Sequence, residues 1–211
     1  MPIKLKTPPA VEPLTLADAK TYLRVTDAND DALITALIAA VRRQCEEYTG
    51  RALITQAWTL WLDKFPRNET PQGAQDGYFE APVYQFNMTR RSIEIPRPPL
   101  QSISFLQTYD VADIATVFPS VDYLVDTASE PGRIALNFSR MWPLVLRWYN
   151  AVQVEFVAGY GDAPASVPEG LKQGMLFLLK TLFAGKSKAF ESDEPHSLAG
   201  LNDKSLPAIV K

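Results

Sequence analysis

A strand followed by a long apolar helix, between Ala151 and Phe183, constrains the fold of this chain more than any other stretch. Val152, Val154 and Phe156 alternate with polar residues, which is the period of a half-buried strand. Glycines and prolines interrupt this period over residues 159–168, and helical spacing of apolar residues follows. The sequence therefore predicts a strand, a turn and a helix in direct succession.

The helix predicted over residues 162–185 carries apolar residues around much of its circumference. A surface helix of a globular protein has one apolar stripe, so this helix cannot have its remaining surface in water. The rest of the chain, neighbouring copies of it, or both must cover the helix. The residues that we predict to contact a neighbouring copy are Leu171, Met175, Phe177, Leu178, Leu182 and Phe183.

Two shorter helices are predicted before residue 52. Thr15 has the position of an N-cap for the first helix, with Asp18 in its first turn. Acidic residues precede the second helix, and Gly50 is suited to end it in the left-handed conformation. Charged residues of the second helix are expected on its solvated face, where they would form a salt-bridge surface. These residues are Arg42, Arg43, Glu46 and Glu47.

The middle of the chain has the period of short strands. Alternation begins near Trp58, and residues 123–126 and 133–136 have the form of a hairpin. With residues 93–95, 103–105 and 152–157, this makes about five short strands, enough for a small antiparallel sheet or sandwich. Pro96–Leu100 forms a stiff elbow between two of them.

These patterns predict an α+β fold in which a helical unit is interrupted by a small antiparallel β subdomain. The helical unit consists of two N-terminal helices and one long C-terminal helix, because their apolar faces would otherwise lie in water. An extended C-terminal arm completes the chain. The predicted divisions are residues 1–52 for the N-terminal helices, 53–161 for the β insertion, 162–185 for the long helix and 186–211 for the arm.

Two segments are candidates for partner contacts. Residues 64–91 are rich in proline and aromatic residues, and a connection of this length is usually functional or disordered. The candidate contacts in it are Tyr78, Phe79, Tyr84 and Phe86. The polar arm ends in an apolar group that could anchor it to a partner, consisting of Leu206, Ile209 and Val210.

The composition of the chain limits which binding and catalytic functions are expected. A net charge of −3 argues against tight binding of duplex DNA, since that affinity depends on clustered Lys and Arg. Arg90, Arg91 and Arg97 could contact phosphate, but a structural salt-bridge role is favoured. With one His and one Cys in the chain, no metal site or Cys-His enzyme is expected. We predict no catalytic residue, no metal, no cofactor and no membrane span.

The order of several short motifs resembles that of head-tail connector (adaptor) proteins of long-tailed double-stranded DNA bacteriophages and of gene transfer agents. The resemblance extends from about Pro13 to Gly185. It is carried by the motifs at residues 14–23, 30–38, 48–51, 96–100, 123–126 and 157–162. Relative to that pattern, residues 64–91 form a longer segment, and the chain ends soon after Ile209.

The resemblance implies a structural virion protein, made in the cytoplasm of a bacterial host and located at the head-tail junction of a phage or prophage product. Copies would form a ring, a dodecamer in the virion, beneath the portal protein. The ring would leave a channel for transient passage of double-stranded DNA and a platform for tail or stopper proteins. The C-terminal arm would reach the portal.

Two other classes remain open at this point. One is a different tail-assembly or accessory module with a protein- or carbohydrate-binding β subdomain, suggested by the aromatic residues between Tyr78 and Phe86. The other is an enzyme, which a panel of hydrolase and nucleotide substrates would reveal. The absence of a catalytic constellation in the sequence makes the enzyme the weakest of the three.

Overall fold

The computed structural model describes residues 2–66, 92–138 and 140–191, and only the backbone of residues 186–191. It contains three α-helices and two antiparallel sheets within these ranges, so the predicted α+β class is confirmed. No helix in the described part of the chain has the length and apolar character needed to cross a membrane.

The two N-terminal helices begin and end at the predicted signals. Helix α1 spans Leu16–Leu23, and its N-cap Thr15 accepts a hydrogen bond from the backbone N of Asp18 at 3.1 Å. Helix α2 spans Asp31–Thr49 and ends at Gly50, whose φ of 67° is left-handed. Helix α3 spans Glu169–Glu191, so it begins later and ends later than the predicted range of 162–185.

The strands form two sheets. The larger sheet has the order β1-β2-β8-β4-β5, and the smaller has the order β3-β7-β6. The strands are β1 Ile3–Thr7, β2 Gln56–Leu62, β3 Ser92–Glu94, β4 Leu100–Tyr109, β5 Ala115–Val117, β6 Tyr123–Asp126, β7 Arg133–Leu136 and β8 Val152–Ala158.

The sheet content exceeds the prediction in two places. Strands β1 and β5 were not predicted, and β4 is ten residues long where residues 103–105 alone were expected. Both β1 and β5 lie at edges of the larger sheet and are largely exposed. An edge strand with little burial has no strong apolar alternation, which explains why the period-two signal was weak there.

Two groups of buried side chains organise the described residues. The helical core lies among α1, α2 and α3 and includes Ile34, Val41 and Leu179. The sheet core lies between the two sheets and includes Leu60, Ile134 and Phe156. The three helices therefore pack on one another, as expected if the strands are inserted between α2 and α3; the division into units stays a prediction.

The helical core and the sheets meet along a backbone seam. The N–H of Tyr160 donates to the carbonyl of Leu53 at 3.1 Å, and the N–H of Gly159 donates to the carbonyl of Pro99 at 2.9 Å. Gly159 has a φ of 137°, and a Cβ there would lie 2.5 Å from the backbone carbon of Ile54. Only glycine permits this approach of the two chain segments.

Burial on α3 yields a testable difference in stability. Leu179 is fully buried in the helical core, whereas Phe177, on the same helix, is 69% exposed. We expect Leu179→Ala to lower the free energy of unfolding by about 2–5 kcal/mol, because it leaves a cavity. Phe177→Ala should change it by less than about 0.5 kcal/mol. Denaturant unfolding measures both free energies. Equal losses would contradict the assignment of Leu179 as buried and Phe177 as exposed.

Candidate assembly surfaces

Two apolar side chains of α3 are exposed to solvent. Phe177 is 69% exposed and Leu182 is 39% exposed, although α3 also fills the helical core. They are five residues apart and so lie about 140° apart around the helix, and we call the two positions together the α3 face. Their exposure agrees with the expectation that this helix carries more apolar surface than its own subunit covers.

The other four predicted contact residues of this helix divide into two groups. Leu171, Leu178 and Phe183 are partly buried and pack against the helical core. Met175 is 1% exposed and lies inside that core. The inclusion of Met175 in a contact surface was therefore wrong, because its position on the inner side of α3 leaves nothing for a neighbour to touch.

A buried ion pair on α2 lies beside the sheet. The Arg42 and Glu46 side chains are 6% and 5% exposed, and Arg42 Nη1 donates to Glu46 Oε2 at 2.8 Å. Arg42 Nε donates to Glu12 Oε2 at 2.7 Å. The other carboxylate oxygen of Glu46 accepts from Gln56 Nε2 at 2.6 Å and from the backbone N of Leu53 at 3.1 Å. One carboxylate therefore joins α2 to the first residue of β2.

The prediction of a solvated salt-bridge surface was wrong for Arg42 and Glu46, whereas Arg43 and Glu47 are exposed to solvent as predicted. Spacing of four residues on a helix is the same for a surface pair and a buried pair, so periodicity could not separate them. Burial of both charges requires the additional hydrogen bonds that the Glu46 carboxylate accepts from Leu53 and Gln56.

Arg97 binds the same region from the elbow before β4. Its Nη1 donates to the carbonyl of Glu46 at 2.7 Å, and its guanidinium lies over the Trp58 ring at 5.1 Å from the centroid. The structural role favoured for Arg97 agrees with these contacts, although its partners are a carbonyl and an indole rather than a carboxylate. Arg90 and Arg91 lie outside the described residues.

A second exposed apolar surface lies between β7 and β8. We call residues 137–150 the apolar loop. Its six outward side chains are between 66% and 93% exposed. They are Phe138, Met141, Leu144, Val145, Trp148 and Tyr149. Sequence reasoning missed this surface because its apolar residues follow neither a helical nor a strand period; their density between Asn137 and Asn150 was the available signal.

Contacts at both ends hold the apolar loop on the sheet core. Trp142 is buried and stacks on Phe65, with ring centroids 4.2 Å apart and planes 5° apart. The guanidinium of Arg147 lies 3.8 Å from the centroid of the Tyr109 ring. The backbone N of Asn150 donates to Asp63 Oδ1 at 2.9 Å. The loop and its neighbours border a cleft of about 470 Å³.

Charges near the hairpin of β6 and β7 are paired. Hydrogen bonds from Ser129 and Arg133 hold the pKa of Asp126 well below its usual value. Arg51 donates to Glu130 in the hairpin turn, which lowers the pKa of that carboxyl, and also to the Tyr160 hydroxyl at 2.8 Å. These contacts connect the smaller sheet to the segment that leads into α3.

The described residues contain no group of three or more His, Cys, Asp or Glu side chains arranged to hold a metal ion. Cys45 is half-buried against the helical core, and burial raises the pKa of its thiol. This position fits the predicted role of Cys45 as a small core residue.

Comparison with known proteins shows what part of this chain resembles. Residues 13–81 match the model of a family described as phage gp6-like head-tail connector proteins. The predicted resemblance to head-tail connectors is confirmed. The match includes α1, α2 and β2, and it supports a structural connector protein. No curated protein matches the sequence.

Solved structures show that this chain shares its fold with chains of gene transfer agent (GTA) particles. A chain from the neck of an empty GTA particle computed with C6 symmetry is 19% identical, with a TM-score of 0.66; the alignment covers 87% of this chain and 84% of that one. A chain from the virion of a native GTA particle is 17% identical, with a TM-score of 0.63 and coverage of 99% and 89%. A third, from a native neck computed with C12 symmetry, is 20% identical, with a TM-score of 0.57 and coverage of 99% and 88%.

Two sets of predicted partner contacts lie outside the described residues. These are the aromatic residues Tyr78, Phe79, Tyr84 and Phe86, and the arm residues Leu206, Ile209 and Val210.

The buried ion pair of Arg42 and Glu46 gives a test with a control on the neighbouring residue. We expect Glu46→Ala to lower the free energy of unfolding by about 3–5 kcal/mol, because Arg42 would stay buried with one of its carboxylate partners removed. Glu47→Ala removes an exposed carboxylate and should cost less than about 0.5 kcal/mol. Urea unfolding of both variants measures the difference; a small, equal loss would contradict the burial of the pair.

Proposed function

We propose that this chain is a structural protein of a phage or gene transfer agent virion and lies at the junction of head and tail. The observation that carries the proposal is the family match over residues 13–81. The protein would be made in the cytoplasm of the bacterial host. We propose no enzymatic activity and no cofactor for it.

The connector forms a ring of identical copies under this proposal, with twelve subunits in the virion. The C12 and C6 symmetries of the neck structures with the same fold support a ring of this kind. The structure of one subunit also supports a ring, because Phe177 and Leu182 remain exposed although the rest of α3 packs in the helical core. A neighbouring copy would remove this apolar surface from water.

The ring would lie beneath the portal protein and present its other side to tail or stopper proteins. Residues 206, 209 and 210 are the proposed portal contacts. Double-stranded DNA would pass through the central channel without being held, since a subunit of net charge −3 offers little neutralisation of phosphate. Residues 162–185, with the N-terminal helices, would form the helical unit of each subunit, residues 53–161 the β insertion, and residues 186–211 the arm.

Electron microscopy of the full chain mixed with a portal from the same phage or transfer agent tests the proposal. We expect a ring of twelve copies on the portal. A chain that stays monomeric at high concentration and never binds the portal would overturn it.

Substitutions on the α3 face test the ring contact itself. We expect the double variant Phe177→Asp and Leu182→Asp to reduce association between subunits by about 30-fold or more, because a buried aromatic contact contributes about 2 kcal/mol or more to an interface. Tyr48→Asp is the control, since Tyr48 is highly exposed at the end of α2. Analytical ultracentrifugation measures association; unchanged rings in the double variant would exclude the α3 face from the contact.

A further inference from the structure

Strand β6 forms one edge of the smaller sheet, and nothing in the described part of the chain pairs with its free side. The sheet has the order β3-β7-β6, so Tyr123–Asp126 bonds to β7 on one side only. Leu124 is 64% exposed and Val125 is 37% exposed. Successive residues of a strand point to opposite faces of the sheet, so solvent reaches this edge from both faces.

The register of the sheet determines which backbone groups of β6 point outward. Asn137 N donates to the carbonyl of Asp122 at 3.0 Å, one step beyond the first residue pair of β6 and β7. Alternate residues of an antiparallel strand direct their N–H and C=O groups to the same neighbour, so Leu124 also bonds to β7. The N–H and C=O groups of Tyr123 and Val125 therefore point to the free edge.

The opposite side of β7 gives the same register. Ile95 N donates to the carbonyl of Gly132 at 2.7 Å, on the side of β3. Even-numbered residues of β7 therefore bond to β3 and odd-numbered residues bond to β6, which agrees with the pairing of Leu124 and Ala135. Two hydrogen bonds on different sides of β7 thus assign the outward groups of β6 to the same residues.

The other edge strands have features that discourage the addition of a further strand. Proteins protect sheet edges with Lys, Pro, bulges or short strand length. Strand β1 contains Lys4 and Lys6, lies between Pro2 and Pro8 and has an irregular register. Strands β3 and β5 are three residues long. Strand β6 contains no Lys, no Pro and no register shift, so it is the least protected of the four described edges.

Apolar side chains accompany the free edge of β6. Val121, just before the strand, is 75% exposed. Cross-strand neighbours share a face of the sheet, and Val125 lies opposite Ile134, which is fully buried in the sheet core. A strand added beyond β6 would place one side chain beside Val125, continuing the sheet core, and the next side chain beside Leu124 on the other face. An apolar segment therefore fits this edge.

We propose that the free edge of β6 binds an extended apolar segment of a partner protein by strand addition. The edge selects this occupant because N–H and C=O groups that recur at every second residue match the main chain of another strand, and not a helix or a nucleic acid. The inference goes beyond the proposed ring, since it concerns a surface of each separate subunit.

A second copy of β6 fits the edge less well than a different segment. Pairing both outward residues of two β6 strands, Tyr123 with Val125, would place Asp122 of each copy opposite Asp126 of the other. Like charges directly opposite each other destabilise a sheet. Dimers of the full chain that protect the Val125 N–H from exchange would show that a second copy is the occupant and would overturn the inference.

Hydrogen exchange tests the edge in the chain alone. We expect the N–H of Val125 to exchange with solvent much faster than the N–H of Leu124, which bonds to β7. Nuclear magnetic resonance measures the two rates separately. A Val125 N–H that is protected as strongly as that of Leu124 in the monomer would mean that the chain covers this edge itself, which would overturn the inference.

Peptide binding tests the strand addition. From a display library of short random peptides, we expect to select peptides that protect the Val125 N–H of the full chain. N-methylation of alternate peptide bonds should weaken their binding at least about tenfold, whereas methylation of the bonds between them should have little effect, because only alternate N–H groups of an added strand face β6. A library that yields no such peptide, or methylation effects without this alternation, would overturn the inference.

Two proline variants form a matched pair. Val125→Pro removes an N–H from the free edge, so it should weaken binding of the selected peptides at least about tenfold and leave thermal unfolding close to that of the wild type. Leu124→Pro removes an N–H that bonds to β7 and should lower the unfolding temperature. Peptide binding by Val125→Pro as tight as that of the wild type would overturn the inference. Ring formation should be unchanged in Val125→Pro, so a wild type that forms no rings counts against the proposed function alone.

Discussion

The subunit depends on one buried carboxylate, that of Glu46. It neutralises Arg42 inside the protein and accepts hydrogen bonds from Gln56 and from the backbone of Leu53, where the chain leaves α2 for the sheet. A buried ion pair is stable only when its remaining hydrogen-bonding positions are occupied. Here Gln56 and the backbone of Leu53, at the start of the sheet, provide the donors. Arg97 adds a contact from the elbow before β4 to the carbonyl of the same residue. Helix and sheet are thereby joined by polar contacts as well as by packing.

This junction bears on the proposed function because exposed apolar side chains lie on both of the parts that it joins. The α3 face belongs to the helical core, and the apolar loop is held on the sheet core by Trp142 and Phe65. A ring closes only if each subunit holds its two contact surfaces at a fixed angle. The Glu46 contacts, together with the backbone bonds of Tyr160 and Gly159, supply that rigidity within one subunit.

Periodicity predicted the elements whose burial is one-sided. The helical spacing of α3 and the alternation at Val152, Val154 and Phe156 were enough to place a helix and a central strand, and Thr15 and Gly50 marked helix ends correctly. Periodicity failed where burial has another cause. Arg42 and Glu46 have the spacing of a surface pair, and their burial comes from Glu12, Gln56 and Leu53, which are 7 to 30 residues away in the chain from the residue that they contact. The apolar loop was missed because it is held by ring stacking and a cation–π contact rather than by a regular element.

Simultaneous unfolding of helices and sheets tests the claim of one rigid subunit most directly. All four tryptophans lie outside the helices, on β2 and in the apolar loop, so their fluorescence reports the sheets, while far-ultraviolet circular dichroism reports mainly the helices. The account predicts that both signals change at the same denaturant concentration in the wild-type chain, as in a cooperative two-state transition. Loss of the helical signal while the tryptophan fluorescence is still that of the native protein would contradict it.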